Sequence, residues 1–160
     1  IIFGATLFSY VFRALGGDDL VAEMLKAAGI DSGWEILIFV MCLVFVMGFF
    51  FDFLEICLVV LPIFAPILAN IDFTPHIAEN KHFMIWFVIL MAVNLQSAFL
   101  TPPFGFALFY MRATVPPEVT MAHIYRGIIP FVILQVITLA LCIYWPEIIL
   151  WMPRHFGFLD

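Results

Sequence analysis

Charge is what this chain has least of. Only 11% of its 160 residues are Asp, Glu, Lys or Arg, where a soluble domain carries roughly a quarter. An ordinary water-facing surface cannot be built from so few, which excludes a soluble globular fold. Basic residues are scarcest: six Lys and Arg against twelve acids, a net charge of −6. No basic patch exists to engage a nucleic acid. Cys42, Cys57 and Cys142 lie far apart in apolar runs, without the paired spacing of a zinc or redox motif, and read as small buried hydrophobes. His76 and His82 share a loop with no clear third ligand and read as ordinary loop side chains. Neither HExxH nor GxSxG occurs, so the chain is not read as an enzyme. No basic n-region or cleavage site marks a signal peptide.

What the chain has is apolar mass: 66% hydrophobic residues, with 20 Phe. That composition fits an all-α integral membrane protein whose helices share a bilayer. The most informative interruption is Asn94–Gly105, Asn-Leu-Gln-Ser-Ala-Phe-Leu-Thr-Pro-Pro-Phe-Gly. Pro102 and Pro103 lack backbone N–H groups and clash with a preceding helical turn, so a helix must break there. At membrane depth such a break survives only inside protein or along a polar cavity. Broken helices are where secondary transporters hold ions and substrate, so 83–112 is read as a broken helix.

Residues 34–71 are apolar except for Glu35, Asp52, Glu55 and Asn70. One helix of that length would reach about 57 Å, too long for a hydrocarbon core of about 30 Å. Gly48, the following Phe run and Asp52 mark the division. Two full spans or a re-entrant hairpin would satisfy this; the shortness of both halves favours a re-entrant hairpin over 34–70. Asp52 and Glu55, three apart, share a helix face. An intramembrane carboxylate is by default a functional candidate, the plainer reading being a helix cap or a headgroup-level loop.

The remaining segments are simpler. Residues 1–12 are too short to span and are expected to end a helix that begins in a longer protein; a short interfacial segment is the alternative. Residues 13–33 read as a loop with a short amphipathic helix, Asp18 and Asp19 suiting its N-cap and Gly29 its end. Residues 71–82 form a polar loop. A second connection follows Arg112, with Thr114 or Thr120 available to cap the next helix. The final transmembrane helix is expected over 121–146, with Arg126 snorkelling near its start. Residues 147–160 read as a tail, with Trp145, Trp151 and Arg154 as an interfacial anchor.

Gly48-Phe-Phe-Phe-Asp52, Leu61-Pro-Ile-Phe-Ala-Pro66, Val93-Asn-Leu-Gln-Ser97 and Leu100-Thr-Pro-Pro-Phe-Gly-Phe-Ala-Leu-Phe109 together resemble the large membrane subunit of TRAP transporters, the tripartite ATP-independent periplasmic transporters. Pro116-Pro-Glu-Val, Ile124-Tyr-Arg-Gly-Ile-Ile-Pro130 and Trp151-Met-Pro extend the likeness over nearly the whole chain, but only to the C-terminal part of that subunit. The resemblance implies the second of two inverted repeats of an elevator-type transporter in the bacterial inner membrane. It implies sodium-coupled uptake of organic acids such as C4-dicarboxylates or sugar acids. A periplasmic substrate-binding protein and a small membrane subunit would be the partners, beside membrane lipid. No cofactor is expected other than sodium as coupling ion.

Within that likeness, the expected sodium ligands are Gly48, Asp52, Asn94, Ser97, Thr101 and Pro102, through side chains or through carbonyls exposed at the tip and the break. Glu55, Gln96, Pro103 and Gly105 are expected along the substrate path, with the half-helix starting near Gly105 turning its positive end toward a carboxylate. For Asn94, Gln96 and Ser97 the plainer reading is interhelical hydrogen bonding. A non-transporting membrane subunit of another complex is the alternative function. Channel and enzyme rank below it, since no symmetric filter and no catalytic constellation is visible.

Overall fold

The computed structural model describes residues 2–74, 76–77, 80–101 and 105–157, and among these all regular structure is helical. The helices are α1 (Ile2–Ala14), α2 (Gly17–Ala27), α3 (Gly33–Met47), α4 (Phe53–Ala69), α5 (Phe83–Leu100), α6 (Phe106–Thr114), α7 (Met121–Tyr144) and α8 (Glu147–His155), with a 3-10 turn at Asn80–His82.

Local signals set most of the ends. Ser32 precedes α3, and the Glu35 carboxylate reaches back to accept the N–H groups of Asp31 (3.0 Å) and Ser32 (2.9 Å). This capping box satisfies donors that the first turn leaves orphaned. Glu35 is therefore a cap, not a buried charge. Thr120 starts α7 in the same way, its N–H donating to His123 Nδ1 at 3.3 Å. Thr114 instead bonds back to the Met111 carbonyl at the end of α6. The α2 N-cap is Gly16, at φ 75, rather than an Asp; Asp18 and Asp19 occupy the first turn, where the helix dipole favours them.

Prolines sit inside the long helices without ending them: Pro62 and Pro66 in α4, Pro130 in α7. Pro62 cannot donate to the Leu58 carbonyl one turn back. The Ser9 hydroxyl of α1 reaches that carbonyl instead, at 3.5 Å.

Helix α5 is the hub, packing against α3, α4, α6, α7 and α8, while α4 also receives α1 and α2. The core runs along Leu37, Val40 and Val44 of α3, Ile56 and Val60 of α4, and Trp86, Phe87, Leu90 and Met91 of α5. Helix α3 runs parallel to α5: Trp34 lies beside Trp86 at one end, and Met41 meets Asn94 further along. Helix α7 runs antiparallel to both, since Trp86 meets Cys142 while Thr101 shares a cavity with Ile128.

At the end where α3 and α5 begin, the loop 70–82 is pinned by aromatic packing. Phe73 stacks on Phe83 at 4.5 Å, and the His76 ring stands against Trp34 at 4.7 Å. Gly33 is required here, because a Cβ would meet Ile71 Cγ2 at 2.3 Å. His76 is no idle loop side chain: its Nε2 lies 2.7 Å from the Ile143 carbonyl. Trp86 Nε1 donates to the neighbouring Cys142 carbonyl at 3.0 Å. These two rings serve carbonyls of the last α7 turn, for which the helix itself supplies no donor.

The segment 147–160 is not simply a tail. Most of it is α8, which buries Ile149 and Leu150 and packs on α5 and α7. Arg154 turns to Glu147, donating to both carboxylate oxygens at 3.0 Å.

Candidate functional site

Helix α5 places Asn94, Ser97 and Thr101 on one face, three and four residues apart. All three are buried, at 2%, 3% and 5% exposure. The Asn94 Nδ2 donates to the Met41 carbonyl of α3 at 2.7 Å. The Ser97 hydroxyl donates to the Asn94 carbonyl at 2.6 Å, and the Thr101 hydroxyl to the Ser97 carbonyl at 2.9 Å. Each hydroxyl spends its hydrogen on backbone, which leaves oxygen lone pairs for a cation or a donor. Among the described residues the buried Asn94 Oδ1 has no hydrogen-bond partner. Leaving such an acceptor unsatisfied costs about 1–3 kcal/mol.

This row ends at the helix break. Thr101 caps α5 in an extended conformation, and the Gly105 N–H donates to its carbonyl at 2.9 Å. Gly105 is buried and starts α6. Pro102 and Pro103, expected in the site, lie outside the described residues.

The tip between α3 and α4 is built by Gly48–Asp52. The N–H groups of Gly48, Phe49, Phe50 and Phe51 return to carbonyls of the last α3 turns. Gly48 is buried. Asp52 is half-buried, and its Oδ1 accepts the Phe53 N–H at 2.8 Å, capping α4. Glu55 and Gln96 are exposed and stand apart from the buried row on α5.

Two cavities follow α5 between α3 and α7. One of about 350 Å³ is lined by Met41, Cys42, Phe45, Asn94, Val136 and Leu139 among others. The next, about 370 Å³, is lined by Phe45, Phe49, Thr101, Tyr125, Ile128 and Val132 among others. Phe45 lines both. Apart from Asn94 and Thr101 the walls are almost wholly apolar.

Depth follows from helix length. From its start beside the Trp34–Trp86 end, α3 descends about 22 Å to its tip, and α5 about 27 Å to its break. Helix α7, measured from the same end, runs on for about 36 Å. Phe49 at the tip and Thr101 at the break line one cavity with Ile128, which lies roughly 10 Å from the far end of α7.

Gln135 escaped the sequence reading. It lies midway along α7, its Oε1 buried and without a partner among the described residues. A lone amide within an apolar span was the available signal.

An all-helical chain this apolar, with a row of buried side-chain oxygens at the end of α5, has the character of an integral membrane protein. Among the described residues α7 alone is long and apolar enough to cross a membrane by itself. The family model described as "Tripartite ATP-independent periplasmic transporter, DctM component" matches residues 1–148, and the chain belongs to that family. It is 30% identical to the sialic acid TRAP transporter permease protein SiaT of Haemophilus influenzae, over 84% of this chain and 20% of that protein. It is 27% identical to the C4-dicarboxylate TRAP transporter large permease protein DctM of Pseudomonas aeruginosa, over 98% of this chain and 34% of that one. The ectoine/5-hydroxyectoine TRAP transporter large permease protein UehC of Ruegeria pomeroyi is 29% identical over 81% of this chain and 28% of its own length. The chain spans about a third or less of these curated relatives. No solved structure matches it.

Proposed function

We propose that this chain is the second-repeat portion of the large, multi-pass subunit of a sodium-coupled uptake system for organic acids in the bacterial inner membrane. A periplasmic substrate-binding protein delivers the substrate, and a small membrane subunit completes the transporter. Residues 34–70 form a re-entrant hairpin, 83–112 the broken helix beside it and 121–146 the final span. The relatives named for sialic acid, C4-dicarboxylates and ectoine support a small charged organic substrate.

The observation that carries this reading is the buried oxygen row Asn94–Ser97–Thr101 at the end of α5, with one amide oxygen unpartnered among the described residues. Sodium is a hard cation that takes oxygen ligands, and an unwound helix exposes carbonyls that an intact one uses internally. The Asn94 Oδ1, the Ser97 and Thr101 hydroxyls, the Gly48–Asp52 tip and the carbonyls about Pro102 form the ion site. Glu55, Gln96, Pro103 and Gly105 line the substrate path, with the positive start of α6 facing the substrate carboxylate. The cavity shared by Phe49 of the tip and Thr101 of the break supports a site built from both half-sites, and the elevator movement carries them as one unit.

The test is uptake by the full-length parent protein in proteoliposomes, with its binding protein, using radiolabelled C4-dicarboxylates and sugar acids. Uptake is expected to need both the binding protein and an inward sodium gradient. In Thr101→Val the sodium concentration for half-maximal uptake is expected to rise about tenfold, equivalent to 1.4 kcal/mol. Uptake indifferent to sodium would overturn the coupling, and an unchanged sodium response in Thr101→Val would remove Thr101 from the site.

A further inference from the structure

Three of the four tryptophans gather at one end of the bundle, and the fourth lies on the helix that follows. Trp34 lies in the first turn of α3 and Trp86 in the first turn of α5, their rings 6.4 Å apart. Trp145 caps the C-terminus of α7, beside the Cys142 carbonyl that Trp86 holds. Trp151 lies on α8. Trp86 is wholly buried, whereas the exposed indoles of Trp145 and Trp151 are of the kind enriched at a membrane–water boundary.

Helix α8 has two apolar sides. Ile149 and Leu150 are buried against the bundle, whereas Ile148, Trp151 and Met152 are more than half exposed, as is Trp145 before them. Water is a poor solvent for that second side. With nine residues α8 is about 14 Å long, too short to cross a bilayer. Ile137, Leu141 and Tyr144 of the preceding α7 are exposed apolar side chains as well. No linker separates the helices beyond Trp145 and Pro146. The charges of Glu147 and Arg154 close on each other, so the helix brings little net charge to that boundary.

We infer that α8 lies in the plane of the membrane interface and that its partner is phospholipid. Ile148 and Met152 enter the acyl boundary, Trp145 and Trp151 sit at headgroup level, and the Glu147–Arg154 pair faces the headgroups. This rests on the reading of α7 as a membrane span. An in-plane helix of this kind fixes the height of α7, and through Trp86 and Cys142 the depth of the hairpin tip and the α5 break.

The experiment uses the full-length subunit in phosphatidylcholine–phosphatidylglycerol vesicles, with lipid brominated either near the glycerol end or near the chain terminus. The Trp151 contribution is the difference between wild type and Trp151→Phe. It is expected to be quenched about twofold more by the shallow bromines than by the deep ones, and little by aqueous iodide. Quenching by iodide alone would put α8 in water; quenching by no agent would mean that protein covers it; stronger quenching by deep bromines would put it inside the core. Each of these overturns the inference. Leu134→Trp, at an exposed mid-α7 position, reports on the span itself and is expected to be quenched most by deep bromines. If that probe fails, the span is at fault; if only Trp151 fails, α8 alone is misplaced.

Discussion

The Asn94 side chain crosses from α5 to hold the Met41 carbonyl of α3 at 2.7 Å, while its buried Oδ1 has no partner among the described residues. One amide thus ties the hairpin to the broken helix and offers an oxygen beside the break. Removing it is expected to have two separable effects. Asn94→Ala should destabilise the purified full-length subunit by about 1 kcal/mol, the scale of an interhelical hydrogen bond in a membrane bundle. It should also raise the sodium concentration for half-maximal uptake. Thermal unfolding in detergent and sodium titration of transport measure the two, and a stability loss without a sodium effect would leave Asn94 a purely structural tie.

The end of α7 makes a second case. Trp86→Phe keeps a ring at the position but withdraws the donor from the Cys142 carbonyl and leaves a void where the indole is wholly buried. A loss of about 2 kcal/mol is expected, the cavity adding to the lost hydrogen bond. His76→Phe should act similarly through Ile143. Because both rings secure the same helical turn, the double variant is expected to lose less than the two single losses together. Strict additivity in thermal unfolding would mean that the two rings act independently.

The Ser9–Leu58 bond exists because Pro62 leaves that carbonyl free. Ser9→Ala is therefore expected to cost about 0.5 kcal/mol in the native background, given the long 3.5 Å contact. In a Pro62→Ala background, where the substituted residue regains a backbone N–H for the same carbonyl, the Ser9 substitution should be neutral. A double-mutant cycle on thermal stability reads the coupling directly, and equal losses in both backgrounds would break the connection.

Acid should loosen the loop 70–82 at one point. Asp72 accepts the Thr74 N–H at 2.9 Å and the Thr74 hydroxyl at 2.8 Å. Both bonds favour the carboxylate and hold its pKa below the ordinary 3.8. A lowered folded-state pKa contributes stability above the ordinary value, and that contribution is lost as pH falls through the lowered one. Protection of the Thr74 amide against hydrogen exchange, corrected for intrinsic rates, should hold down to the usual carboxylate range and decline below it. Asp72→Asn should show no such step.

Residues that act on their own backbone were legible in the sequence. The double proline predicts the end of α5 at Leu100, because neither residue can donate and the turn before them is sterically restricted. The apolar run predicts α7 over nearly its observed length, and the Gly48–Asp52 stretch marks the tip. Where an outcome depended on a distant neighbour, the sequence was ambiguous. Pro62, Pro66 and Pro130 remain inside helices, and for Pro62 another helix supplies the missing donor. The tail reading of 147–160 gave way to α8, because the surface that Ile149 and Leu150 pack against is formed by α5 and α7.

The sequence by itself determined the apolar character of the chain, most of its helices and the end of α5, since these follow from hydropathy and from backbone groups that proline lacks. Only the tertiary structure decided that Asn94, Ser97 and Thr101 are buried while Gln96 and Glu55 are exposed, and that His76 closes α7. Burial and partnership are properties of the helix that comes to lie alongside, and no local pattern in an almost uniformly apolar chain specifies which face that will be.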